Sequence, residues 1–428
     1  MSRRFPCWTC LQATAVLGLV VVLGSTDAAD APASKPAPNG AASTITPEAK
    51  AIHDGSLVFD GQNGLPWKLY SKGDSHFKQF DLRHPQKDLH TDIPRLRQGG
   101  VGAVFWSIYV PAASAKKGTA ERDVLEQIDL IHRLAKTYPD VFEVALRSKD
   151  ITRIQQEGKI ASLIGIEGGH SLDNSLAVLR TYYQMGARFL TLTGTDNCDV
   201  ADSAGDKAHH QGLSKFGEQV VSEMNRLGMI IDLCHCSKDT RKHALLLSRA
   251  PVMFSHTAAA ALAPHPRNVD DETLKAVAKN GGIVMVNFYT AFLSPEGIKA
   301  YDARSKAAHK LRAQLTDDKK YQVALLQLLK DNPLPAADVR TVVNHIDHIV
   351  KVAGIDHVGL GSNFDGMGTA PKQLEDVSCF PAITQELLNR GYDKEKIQKV
   401  LGGNMYRVLA RVEAESTGQT ISNERIGR

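Results

Sequence analysis

Residues 161–167 read Ala-Ser-Leu-Ile-Gly-Ile-Glu, an apolar run that ends on a carboxylate. A segment apolar on both sides of the chain must be covered on both faces, as a strand is in a parallel sheet wrapped by helices. Seven more runs share this character: 56–62 (SLVFDGQ), 101–110 (VGAVFWSIYV), 189–194 (FLTLTG), 228–235 (GMIIDLCH), 251–256 (PVMFSH), 281–289 (GGIVMVNFY) and 357–364 (HVGLGSNF). Between them lie amphipathic stretches such as Glu121 to Tyr138, Ser175 to Met185, Ser214 to Leu227 and Asp271 to Lys279, several opened by a Ser or Asp cap. Eight strands alternating with helices predict an α/β chain folded as a (β/α)8 TIM barrel. The interval from Ser294 to Val343 exceeds a plain βα connection and is rich in Lys, Gln, Ala and Leu. It predicts a helical insertion before the last strand, serving as a lid, a dimer surface or a passive excursion.

The 428 residues are 43% hydrophobic and 23% charged, enough for one large core. With 51 basic and 47 acidic residues spread along the chain, no basic block exists to grip a phosphate backbone, so nucleic acid is not expected as a partner. Arg3 and Arg4, an apolar run to Gly24 and the small residues Ser25 to Ala29 read as a secretory signal over residues 1–28. The protein is therefore expected to be exported, to a periplasm or outside the cell, with an uncleaved membrane anchor as the alternative. Residues 29–47 are rich in Ala, Pro and Ser and read as a flexible linker, 48–415 as the barrel, and 416–428 as a polar tail. Four cysteines remain after the signal, at 198, 234, 236 and 379. One or two disulfides are open to an exported chain, in a pairing the sequence does not fix.

Side chains at the C-terminal ends of barrel strands converge on one site. Here those residues are Gln62, Glu167, His235, His256 and Asn363, with His170 just beyond the third run. One carboxylate and two imidazoles from separate strands make a zinc set with a position left for water.

Several segments now carry a resemblance: Ile166-Glu167-Gly168-Gly169-His170-Ser171-Leu172, Phe189-Leu190-Thr191-Leu192-Thr193, Ile231-Asp232-Leu233-Cys234-His235, Phe254-Ser255-His256, Arg267-Asn268-Val269 and Val286-Asn287-Phe288-Tyr289. In order and spacing they resemble the membrane (renal) dipeptidase family, from about Leu57 to about Leu409. The resemblance implies a metallodipeptidase in which two zinc ions share a bridging glutamate and an arginine holds the dipeptide carboxylate. It places Glu167 as the shared carboxylate, His235 and His256 as ligands of one zinc, Arg267 as the clamp, and Tyr289 and Asn363 at the substrate. It also suggests a homodimer.

Three places depart from that pattern. The family opens its barrel with Asp-Gly-His-Asn-Asp-Leu-Pro-Trp, whereas this chain has Asp60-Gly61-Gln62-Asn63-Gly64-Leu65-Pro66-Trp67, so Gln62 and Gly64 are degenerate second-metal positions. A histidine that follows the fourth strand in the family is Gly194 here, and the first aspartate of the eighth-strand motif is Asn363. An amide keeps the shape of that aspartate but cannot take a proton. His170 or Asp365 is then the nearest candidate proton carrier. The expected activity is zinc-dependent cleavage of a dipeptide or small amide with a free carboxylate, using one zinc ion. Two zinc ions are the alternative if Asp202, His209 or His210 supply ligands, and a binding protein without turnover is the other class.

Overall fold

The computed structural model describes residues 44–74 and 76–416, so the signal, most of the linker and all of the tail beyond Ser416 lie outside the described residues. Nine strands run β1 Val58–Asn63, β2 Val101–Tyr109, β3 Phe142–Val144, β4 Ile160–Glu167, β5 Ala187–Thr191, β6 Ile230–Asp232, β7 Met253–Thr257, β8 Ile283–Val286 and β9 Val358–Leu360. All pairings are parallel, in the order β2-β1-β9-β8-β7-β6-β5-β4. The β2–β4 ladder, from Ala103↔Ala161 to Tyr109↔Glu167, closes eight strands into a barrel. β3 is extra. It pairs with Ile160 to Ser162 at the start of β4, before β5 takes over at Ile164.

Alternation along each strand divides the core in two. Phe59, Phe105, Leu163, Phe189, Met253 and Met285 fill one buried cluster, whereas Trp106, Ile164, Ile166, Leu190, Phe254 and Val284 belong to a second that includes residues of the surrounding helices. Fully burying a ring such as Phe189 is worth about 2–3 kcal/mol. Gly165 makes room for it, because a Cβ there would lie 2.0 Å from the Phe189 ring. The parity of 161, 163 and 165 then carries Glu167 to the mouth of the barrel.

Two helix starts follow the predicted caps, Ser175 and Ser214, and a third is capped one residue before the predicted start, by Asp270. Ser175 accepts from Val178 N, Ser214 from Gly217 N and Asp270 from Thr273 N, each satisfying a donor the first turn leaves open. The first helix begins at Pro47, capped by Thr46. The predicted insertion resolves into helices Pro295–Gln314 and Asp318–Asp331. The third helix of that interval, Val339–Ala353, buries Val342, Val343, Ile346 and Ile349 and belongs to the barrel wall. Among the described residues no helix is long and apolar enough to cross a membrane. The four described cysteines are unpaired.

Candidate metal centre and its surroundings

Glu167 ends β4, His256 lies in β7, and His235 follows β6 by three residues. The last stands at φ 64°, a left-handed conformation that costs a non-glycine residue on the order of 1–3 kcal/mol and turns the chain off the ladder. His235 Nε2 is 3.0 Å from Glu167 Oε1 and 3.1 Å from His256 Nε2. Among the described residues these three form the one group of His, Cys, Asp or Glu close enough to hold a metal ion, with donor atoms within 4.8 Å of one another.

A hydrogen-bond chain sets the tautomer of His256. Ser255 Oγ donates to Asp232 Oδ2 at 2.7 Å and lies 2.9 Å from His256 Nδ1. With its hydrogen committed to the carboxylate, the hydroxyl can only accept from Nδ1–H, which leaves the Nε2 lone pair facing Glu167 and His235. Asp232 is fully buried and also accepts from Thr191 Oγ1, Cys234 N and Ser255 N, so one carboxylate joins β5, β6 and β7 beneath the site. Asp232→Ala is expected to cost about 4 kcal/mol, because buried donors lose their acceptor. Chemical denaturation of the purified variant measures this, and a loss below about 1 kcal/mol would refute the assignment.

Burial pushes the Glu167 carboxyl up, but His235, His256 and Arg267 together outweigh it and keep the acid ionised. Burial is also the chief cause that lowers both histidines, assisted by Arg267, so each presents a neutral ring at neutral pH. An anionic oxygen and two neutral imidazole nitrogens fit a divalent first-row metal with one position left open.

Gln62 stands on the other side of Glu167. Its Nε2 donates to Glu167 Oε2 and to Ser107 Oγ, both at 2.7 Å, and the residue is 2% exposed. Ser107 adds a 3.3 Å bond to the same carboxylate oxygen. Gly64 leaves no room for a ligand, since a Cβ there would fall 2.7 Å from Gly366 N and 3.0 Å from the Asp365 carbonyl carbon. Asp202, His209 and His210 lie outside the donor group; Asp202 instead accepts from the backbone of His209, His210 and Gly212.

Arg267 Nη2 lies 3.1 Å from His235 Nε2, and its Nη1 is buried without a partner. The loop presenting it is held from below by the buried Arg241, which donates to the carbonyls of Asn268 and Pro266 at 2.9 Å each. His170 follows Glu167 on a short 3-10 turn, with Nε2 buried and unpartnered. Its ring occupies the side of Gly194, 3.6 Å from where a Cβ would stand. Asp365 is engaged with the loop after β1: its Oδ1 accepts from His90 N at 2.8 Å, and its own N–H meets His90 Nδ1 at 2.9 Å. Asn363 has φ 61° and donates its backbone N–H to the Gln62 carbonyl at 2.9 Å. Tyr289 stands edge-on to Phe292 on the Arg267 side.

Sequence reading missed Ser107, Asp232 and Ser255. Ser107 shares the parity of Phe105 on β2, a pattern that marks it as facing the barrel interior.

A closed parallel barrel whose strand ends gather a carboxylate, two neutral imidazoles and a guanidinium defines a metal-dependent hydrolase scaffold. Comparison with known proteins gives the particular assignment. The model of the membrane dipeptidase family, peptidase family M19, matches residues 46–423, and the chain belongs to that family. It is 40% identical to Dipeptidase 3 of Mus musculus over 381 residues, covering 87% of this chain and 68% of that one. It is 38% identical to Dipeptidase tcpJ of Claviceps purpurea over 370 residues, covering 84% and 78%. Among solved structures, the probable dipeptidase PvdM from Pseudomonas aeruginosa superposes with a TM-score of 0.74 at 25% identity, covering 86% of this chain and 98% of that one. A Rhodobacter sphaeroides metallopeptidase liganded with a phosphinate mimic of the dipeptide L-Ala-D-Ala shares the fold, with a TM-score of 0.68 at 23% identity over 83% and 99%. The protein is a dipeptidase-like hydrolase.

Proposed function

We propose that this hydrolase cleaves a dipeptide or small amide with a free carboxylate, using a single zinc ion held by Glu167, His235 and His256. The observation that carries the single-ion reading is the Gln62 amide, whose Nε2 donates to the Glu167 oxygen turned away from the histidines. A second cation sharing Glu167 would need that oxygen, and Gln62 already supplies a neutral donor to it. When bound, such an ion polarises the scissile carbonyl and makes water acidic enough to attack near neutral pH.

The chain's own residues do the rest. Arg267 offers a planar pair of donors to the substrate carboxylate. His170, lowered chiefly by burial and therefore neutral, with Nε2 unpartnered, would take a proton and return it to the leaving amine. Asp365 gives Oδ1 to the His90 loop, while its Oδ2 is buried without a partner and burial pushes its carboxyl up, so it is the second candidate. The charged signal-like start of the chain supports export as the setting.

Metal analysis together with a dipeptide panel tests this reading. Wild type is expected to hold about one equivalent of zinc per chain and to turn over free dipeptides. Gln62→His should stay near one equivalent, because Gly64 still offers no ligand and no space for one. Two tightly held equivalents in the wild type would overturn the single-ion reading, and a zinc-loaded protein inert toward every dipeptide would overturn hydrolysis.

A further inference from the structure

The insertion helix Pro295–Gln314 reaches the site through one ring. Phe292, in the turn after β8, places its ring centroid 5.8 Å from the Arg267 guanidinium carbon. Around Phe292 stand His265 at 4.9 Å, Tyr289 at 5.4 Å and Tyr301 at 5.1 Å between centroids. Tyr301 also meets Tyr289 edge-on at 6.3 Å and His265 at 6.0 Å. His265, Tyr289 and Phe292 come from connections directly after barrel strands, whereas Tyr301 is contributed by the insertion.

The helix that carries Tyr301 is capped at its start and tied to the second insertion helix. Ser294 caps its start by accepting from Gly297 N, and Arg304, one turn beyond Tyr301, donates to the carbonyls of Leu329 at 2.9 Å and of Asn332 at the end of the second insertion helix. Tyr301 is half-buried, its ring set against those of Phe292, Tyr289 and His265.

We propose that Tyr301, with Phe292 and Tyr289, forms a side-chain wall that selects dipeptides whose carboxylate-bearing residue has a large apolar or aromatic side chain. The proposal rests on Arg267 holding that carboxylate. A carboxylate on Arg267 has its Cα one bond away, so the side chain on that carbon lies within reach of the rings packed beside the guanidinium. Edge-to-face aromatic contacts and apolar burial both favour a large group there, whereas glycine leaves the wall unfilled.

The test compares Ala-Gly, Ala-Leu and Ala-Phe as substrates of the zinc-loaded wild type, Tyr301→Ala and Tyr301→Phe. Competition by phosphinate dipeptide isosteres ending in glycine or phenylalanine is measured in parallel. Wild type should favour Phe over Gly by at least about tenfold in kcat/KM and in isostere Kd, Tyr301→Phe should keep that ratio, and Tyr301→Ala should reduce it to about twofold. Zinc content equal to wild type shows that the alanine variant is folded at the site. Retention of the full preference by Tyr301→Ala, or its absence in wild type, overturns the proposal. If nothing is hydrolysed but the isosteres bind in the expected order, hydrolysis fails and the selectivity stands. If neither isostere binds the wild type, both fall.

Discussion

His235→Ala should lose its bound metal on dialysis, falling from about one equivalent to under a tenth, with kcat/KM down on the order of 10³-fold or more. His235 Nε2 lies at 3.0–3.1 Å from both other donors, so its loss leaves only one imidazole and one carboxylate. A divalent ion with two protein ligands exchanges readily with solvent and chelators. The barrel should remain, because His235 lies beyond the end of β6 and lends no side chain to the apolar clusters. Elemental analysis of the dialysed variant, with circular dichroism as a check on folding, decides the matter. Full zinc occupancy in the folded variant would sink the ligand assignment.

Arg267→Met is expected to raise KM for a free dipeptide by on the order of 10²-fold, the equivalent of about 3 kcal/mol for a lost charge-assisted pair. The loss should be specific. A dipeptide with its carboxylate capped as an amide does not use the guanidinium fork, so its already low kcat/KM should change by less than about threefold. Arg267→Lys should recover only part of the difference, because an ammonium cannot make two parallel bonds in one plane. Arg267 also lies 3.1 Å from His235, so zinc content must be followed in each variant. Equal losses for the free and capped substrates at unchanged zinc content would show that the residue does not read the carboxylate.

The barrel was legible because eight short apolar runs alternate with helices; the alternation alone fits any parallel α/β sheet, and the count of eight points to closure. Where the reading erred, a local interaction decided. The fifth run extends to residue 235 by composition, but the ladder ends at Asp232, whose side chain takes over the N–H groups of Cys234 and Ser255. β3 escaped because three residues, Phe142 to Val144, carry too little periodicity to be separated from a loop. In the site, Glu167, His235 and His256 stood out as polar residues ending apolar runs. Ser255 and Asp232 did not, since their role comes from the geometry between neighbouring strands rather than from residue type. Tyr301 lies in an insertion whose sequence gives no sign of which strand end it faces. The described cysteines are unpaired, an outcome that cysteine spacing along a chain does not report.

Gly64 packed against the turn at residues 363–366 also bears on how this lineage can change. Gly64 N–H bonds the Phe364 carbonyl, Asn363 N–H bonds the Gln62 carbonyl, and Asp365 is locked to His90, so the turn is fastened from three directions. An aspartate introduced at 64 must displace backbone before it can offer an oxygen, and it gives no benefit while Gln62 remains. Each step toward a second cation is thus unfavourable until the others are in place. If the site works with one ion as proposed, it behaves as a ratchet, and laboratory evolution from this sequence should keep Gln62 and Gly64 more readily than it assembles ligands for a second cation.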